Sequence, residues 1–213
     1  MTRPEPGSFY CLLGGDGSGK TTLLHSLEAR DSEIVIVHWK QIASVTLLPS
    51  LLPGLDSPET SRRLGPLSRA GQFCYLAALE YEMLIQPALT AGKAVIVDSY
   101  WYKFVAKMRV LDMAAPFLYE VCASLPAPDR ILYLDTPPET ARIRKAEMNF
   151  FDCNGQPENF VPFQCAVRTV MQGFIADIPV TRLDGMMPVP DLVATVANLC
   201  GPASARGRHR TTQ

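Results

Sequence analysis

The chain has 213 residues, 47% of them hydrophobic, and its 20 basic and 21 acidic side chains leave a formal net charge of −1. That length predicts one domain with one sizeable core, and the charge balance excludes the broad positive field with which nucleic-acid and anionic-membrane binders attract their partners. No stretch approaches the ~18 apolar residues of a membrane span, and the apolar run after the polar segment Met1 to Ser8 is too short for a signal peptide. The six cysteines are scattered with no C-x-x-C pair, so a reduced, cytoplasmic chain without a structural metal is expected.

Phe9 to Leu13 is an apolar run that reads as a strand, and Thr22 to Leu27 reads as the body of a helix. Between them stands Gly14-Gly15-Asp16-Gly17-Ser18-Gly19-Lys20-Thr21, which fits G-x-x-x-x-G-K-[ST] at every fixed position. Glycines without Cβ atoms let successive backbone N–H groups turn toward an anion, and the helix that follows adds the positive end of its dipole. The stretch is therefore read as a phosphate-binding loop. Lys20 would reach the β- and γ-phosphates of a nucleotide, and the Thr21 hydroxyl would face Mg²⁺, with Thr22 in the first helical turn beside it.

Ile34 to Val37 is a β-branched run suited to a buried parallel strand, and it ends at His38-Trp39-Lys40. Residues 46 to 69 hold four prolines with Arg62, Arg63 and Arg69, and read as a substrate-side excursion with short helical pieces. Those arginines offer contacts to an anionic substrate, or are simply solvated. Ala70 to Ala91 has helical spacing, with Gly92 as its stop and Pro87 as a kink or break near its end. Ala94 to Asp98 reads as a strand that delivers a carboxylate to the phosphate site, where an acid would hold Mg²⁺ directly or through water.

Residues 100 to 125 predict one or two helices, and Ile131 to Asp135 a further strand ending in an acid. Thr136-Pro137-Pro138-Glu139 has the pattern of a helix start with Thr as cap and Glu three residues on. The helix it opens carries Arg142, Arg144 and Lys145 and runs into the irregular, glycine-containing segment Asn149 to Pro157, so residues 142 to 157 read as a lid over phosphates. A helix over Phe160 to Ile175, a short strand over Ile178 to Asp184 and a helix over Asp191 to Leu199 complete the pattern, with a polar tail from residue 201 to 213 expected to be disordered. The alternation predicts an α/β fold, a parallel sheet of about five strands with helices on both faces and the ligand crevice at the strand ends.

These motifs together resemble the thymidylate kinase family of nucleoside monophosphate kinases, whose fold is the P-loop kinase fold. The loop with its internal Asp16, the stretch Ile85-Gln86-Pro87-Ala88-Leu89 to Asp98, the strand Leu132 to Asp135 with Pro138-Glu139 and Arg144, and Leu183-Asp184-Gly185 are each similar to a family motif, so the resemblance spans most of residues 8 to 200. The resemblance implies that Gly14 to Thr22 and the lid residues Arg142 and Arg144 serve ATP and that Asp16 touches the sugar hydroxyl of the phosphoryl acceptor. Four places depart from it, one of them further along the lid, where Met148 or its neighbours replace an expected arginine. Ser99 stands where the family has an arginine after the strand acid, Ala77 where its long helix carries one for the acceptor phosphate, and His38-Trp39-Lys40-Gln41 replaces a T-R-E-P-G-G stretch. Lys40, Lys103, Lys107 and Arg109 are available substitutes alongside the three arginines of the excursion.

The sequence thus predicts an ATP- and Mg²⁺-dependent phosphotransferase acting on a nucleotide or nucleotide-like small molecule, with Lys20, Asp98 and Arg144 as catalytic candidates and Thr21 and Asp98 as metal candidates. Phosphorylation of a hydroxyl on a nucleoside or other metabolite is one alternative, and a nucleotide-binding module with slow or no hydrolysis is another. A small-molecule acceptor is the expected partner, no nucleic acid or membrane is expected, and a homodimer is left open. With two arginines missing, thymidine monophosphate is expected to be a poor acceptor.

Overall fold

The computed structural model describes residues 7–30, 33–42 and 65–201. Five strands, β1 (Phe9–Leu13), β2 (Ile34–Val37), β3 (Ala94–Asp98), β4 (Arg130–Asp135) and β5 (Val180–Asp184), form one parallel sheet in the order β2-β3-β1-β4-β5. The central strand is buried over its whole length, because parallel strands are covered by crossover helices on both faces.

Its side chains alternate between two cores. Phe9, Cys11 and Leu13 join Val95, Val97, Ile131 and Tyr133 on one face, whereas Tyr10, Leu12, Ile96, Leu132 and Leu134 lie on the other. The second face is covered by Leu23, Leu24 and Leu27 of helix α1 (Lys20–Arg30) together with Leu192, Val193 and Val196 of the C-terminal helix Val189–Cys200. Each such leucine removed from water contributes about 1.5–3 kcal/mol.

The helix expected over Ala70 to Ala91 starts earlier and is built in three parts. Helix α2 (Pro66–Leu79) runs into a π-helical turn (Glu80–Ile85) and then α3 (Gln86–Thr90), which stops before Gly92. Pro87 has no N–H for the carbonyl four residues back, and the widened turn lies just ahead of it, with the Gln86 N–H donating to the Tyr81 carbonyl. Arg69, placed in the excursion by its sequence context, is instead a buried residue of α2 whose Nη1 lies 3.2 Å from Met113 Sδ. Arg62 and Arg63 lie outside the described residues, as does the tail from residue 202 onward.

The crossover after β3 contains α4 (Tyr102–Val110) and α5 (Pro116–Ala123). After β4 come α6 (Pro138–Arg144), the one-turn α7 (Phe150–Cys153) and α8 (Phe160–Phe174), and after β5 the chain closes with α9 (Val189–Cys200). The expected cap at Thr136 is not made: Pro137 occupies the cap position of α6, with no side-chain bond. The Thr136 hydroxyl donates instead to the Ser18 carbonyl at 3.0 Å, tying the end of β4 to the phosphate loop. Thr136→Val keeps the shape but strips a buried carbonyl of its donor, so it is expected to destabilise the protein by about 1–3 kcal/mol, read by urea denaturation.

Candidate active site

The loop from Gly14 to Gly19 leaves β1 at the C-terminal end of the sheet and enters α1 at Lys20, the geometry its spacing predicts. Gly17 and Gly19 have φ of 72° and 101°, a region that L side chains rarely adopt. At Gly17 there is a second constraint, because a Cβ would strike the Ala141 carbonyl of α6. The helix that carries the expected lid is thus packed directly on the loop.

The Lys20 ammonium donates to the carbonyls of Gly14 and Gly15 at 2.9 and 2.8 Å, with Ser18 Oγ at 3.4 Å. Burial and then the neighbouring charge of Lys103 push its pKa down to about 7, against the opposing pull of Asp98 and Asp16. A buried cation held by carbonyls is poised for an anion. Thr21 and Thr22 are exposed at the start of α1.

Asp16 sits at the centre of a buried polar network. One carboxylate oxygen is 3.2 Å from Lys103 Nζ; the other is 2.7 Å from Lys107 Nζ and accepts from the Gln164 side-chain amide at 2.9 Å. Gln164 Oε1 in turn accepts the Asp16 backbone N–H at 3.0 Å. Burial alone would raise the Asp16 carboxyl, but Lys103, Lys107 and Lys20 outweigh it and hold it well below the usual range.

Asp152 of α7 extends the network, 3.5 Å from Lys107 and 3.1 Å from Lys145. The Asn149 to Pro157 segment is therefore not irregular throughout. Its Phe151, Asp152 and Cys153 are buried, and Asp152 also accepts the Asn149 N–H at 2.9 Å as part of a capping box. The reason is tertiary: the local partner of Asp152, the Asn149 N–H, is neutral, and the buried charge is compensated by Lys107 of α4 together with Lys145.

A cavity of about 310 Å³ opens beside these groups, lined by Lys40, Lys103, Lys107 and Lys145, by Asp16, Asp98 and Asp152, and by an aromatic wall. Phe73 and Phe104 in that wall are stacked, with ring centroids 3.7 Å apart. Asp98 stands at the end of β3 and accepts from the Ser99 hydroxyl at 2.8 Å. Ser99 and Tyr100 both have positive φ, 66° and 44°, a strained entry to α4 of the kind found where a site over-determines its backbone.

The structure separates the lid cations. Arg144 donates to the Gly185 carbonyl at 2.9 Å beside the turn after β5, and Arg142 is exposed. Lys145 is the cation of that segment that lines the cavity. Arg109 lies over the Tyr119 and Phe174 rings rather than in the site. Nothing in the sequence marks Gln164, Asp152 or Glu80: Gln164 and Glu80 are ordinary polar residues inside helical patterns, and Asp152 falls in the segment that reads as irregular.

The fold and the loop define a P-loop nucleotide kinase. The thymidylate kinase family model matches residues 13–174. The chain is 28% identical over 192 residues to a thymidylate kinase of Protochlamydia amoebophila, covering 84% of this chain and 85% of that one. It is 33% identical over 150 residues to a thymidylate kinase of Xanthomonas oryzae pv. oryzae, covering 66% of this chain and 62% of the relative. The chain belongs to the thymidylate kinase family, a family of ATP-dependent nucleoside monophosphate kinases.

Glu80 provides a pH test of the packing below the site. It is buried in the π-helical turn with Oε1 unpartnered, and burial, then the charge of Asp98, raise its pKa to about 8. The folded state therefore holds this proton where the unfolded chain, at ~4.3, has lost it, so stability falls as pH rises between those values. Glu80→Gln is expected to flatten that part of the profile, measured by denaturant midpoint against pH.

Proposed function

We propose that this chain transfers the γ-phosphoryl group of ATP to a nucleoside monophosphate seated in the 310 Å³ cavity, through a site in which Lys20, Asp98 and Asp16 converge. The observation that carries this reading is the buried Lys20 ammonium, held by carbonyls and a hydroxyl of its own loop beside a cavity rich in lysine. On binding, the β- and γ-phosphates replace those carbonyls, and the backbone N–H groups of Gly15 to Thr21 cradle the anion. The exposed Thr21 hydroxyl and the Asp98 carboxylate are hard oxygen donors suited to Mg²⁺, which when bound offsets charge on the phosphates.

Asp16, kept ionised by its lysines, accepts from a sugar hydroxyl of the acceptor. The stacked Phe73 and Phe104 give a planar base a wall to rest on, and Lys103 and Lys107 take over the anion contacts of the arginines absent at Ser99 and Ala77. Four lysines against three aspartates leave the lining one charge positive, which favours a phosphorylated acceptor over a neutral one. Lys145 rather than Arg144 is the lid cation that meets the transferring group, while Arg142 and Arg144 border the donor side. The remaining chemistry is positioning and charge stabilisation, with residues 142 to 157 as the closing segment of a single domain. We infer a cytoplasmic setting from the ATP requirement and the six free cysteines, and no helix among the described residues is long and apolar enough to cross a membrane.

A triphosphate beside Lys20 favours its charged form and so raises its pKa from about 7. ATP binding slightly above neutral pH is therefore expected to take up a fraction of a proton, seen by calorimetry in buffers of different ionisation heat. Lys20→Arg, which stays charged, should take up none, and Lys20→Ala should abolish transfer.

Initial rates over nucleoside monophosphates, nucleosides and sugars test the acceptor. Thymidine monophosphate is expected to be a poor acceptor beside the best monophosphate, because lysines already paired with Asp16 offer an anion a different geometry from the arginine forks of the family motifs. Lys107→Met should raise KM for the acceptor and leave KM for ATP unchanged. A nucleoside as best acceptor would establish hydroxyl transfer instead, and ATP binding with no acceptor turned over would establish a binding module.

A further inference from the structure

Among the described residues, one cluster outside the phosphate site has metal-ligand chemistry. His25 and Glu28 stand three residues apart on α1 and so share a face of the helix. His38 follows β2 directly and is presented to that face by the packing of α1 against the strand. One ligand atom from each of the three side chains lies within 4.8 Å of the other two. His38 Nε2 is buried without a hydrogen-bond partner and is 3.5 Å from Glu28 Oε1. The two imidazole rings are 5.7 Å apart between centroids, tilted by 57°.

We propose that His25, Glu28 and His38 form a binding site for a divalent transition-metal ion of the zinc class, separate from the Mg²⁺ that accompanies ATP. Two imidazoles and one carboxylate are borderline-soft ligands, which suit Zn²⁺, Co²⁺ or Ni²⁺ and disfavour Mg²⁺, whose sites are built from oxygen. Bonds of ~2.0–2.1 Å around a tetrahedral ion bring ligand atoms to about 3.4 Å from one another. The His38–Glu28 pair already has that separation. The third ligand closes by rotation, since His25 and Glu28 are exposed side chains with room to turn. Three protein ligands leave the fourth position to water.

The location gives the ion a consequence. His38 directly precedes Trp39 and Lys40, which line the cavity, and α1 begins at Lys20. A bound ion would clamp the phosphate-loop helix to the turn that carries Trp39 and Lys40, fixing one wall of the cavity. The clamp needs no kinase turnover to be observed.

The experiment is a calorimetric titration of the full chain with ZnCl₂ in excess Mg²⁺, repeated with Co²⁺ to read the visible absorption of a tetrahedral nitrogen- and oxygen-ligated ion. One equivalent of Zn²⁺ is expected, with a rise in melting temperature and an absorption band free of thiolate charge transfer. His25→Ala and Glu28→Gln, both at exposed positions, should each weaken binding at least about tenfold while leaving the metal-free melting temperature unchanged. No stoichiometric binding would overturn the proposal and leave an ordinary His38–Glu28 ion pair. Binding that survives both substitutions, or a thiolate signature, would overturn it by placing the metal elsewhere.

Discussion

The structure around the site depends on one buried carboxylate. Asp16 lies in the phosphate loop yet is held by Lys103 and Lys107 of α4 and Gln164 of α8, so a single side chain joins three elements that are distant in sequence. A buried acid stripped of its cations costs about 3–5 kcal/mol, and that penalty fixes the position of α4 relative to the loop. Gln164 fixes the loop twice, through the Asp16 carboxylate and through the Asp16 N–H. The same lysine that meets Asp16 also faces Asp152, so the lid segment is connected to the loop through Lys107.

Beneath this network the packing stores unfavourable groups. Glu80 is buried with an unpartnered oxygen, and Tyr100 and Trp101 bury polar atoms that likewise lack hydrogen-bond partners. Burial first, and then Glu80, raise the Tyr100 hydroxyl well above its ordinary value. These groups lie close to the strained residues Ser99 and Tyr100 and to the π-helical turn. Strained backbone, a π-turn and unsatisfied polar atoms gathered under one cavity mark a region shaped for function at the expense of stability.

Ser99 and Ala77 stand at two positions where the resemblance leads one to expect arginines, and in the proposed acceptor site the anion contacts fall to lysines of α4. A lysine is a point charge on a flexible stem, whereas an arginine is a rigid fork that binds a phosphate through two bonds. Lys103 and Lys107 are paired with Asp16 in the structure, so an anion entering the cavity competes with a carboxylate for them. A ligand of this cavity therefore has to satisfy both the lysines and the acid.

Much of the fold was legible in the sequence because it is written in local patterns: the alternating burial of Phe9 to Leu13, the β-branched run at Ile34 to Val37, and the glycine spacing before Lys20 each follow from backbone sterics and periodicity. Lys103 and Lys107 could be named as candidate cations from their place just after Asp98, but their partner could not. Asp16 meets lysines 87 and 91 positions away and a glutamine 148 away, and no periodicity encodes such separations. The same limit hid the burial of Asp152, the turning of Arg144 toward Gly185 and the meeting of His25 and Glu28 with His38. The sequence by itself determined which segments form strands, where the phosphate loop lies and which family the motifs belong to. Only the tertiary structure decided which charges compensate one another, because the cost of burying a charge is set by whatever other elements bring within a few ångströms of it.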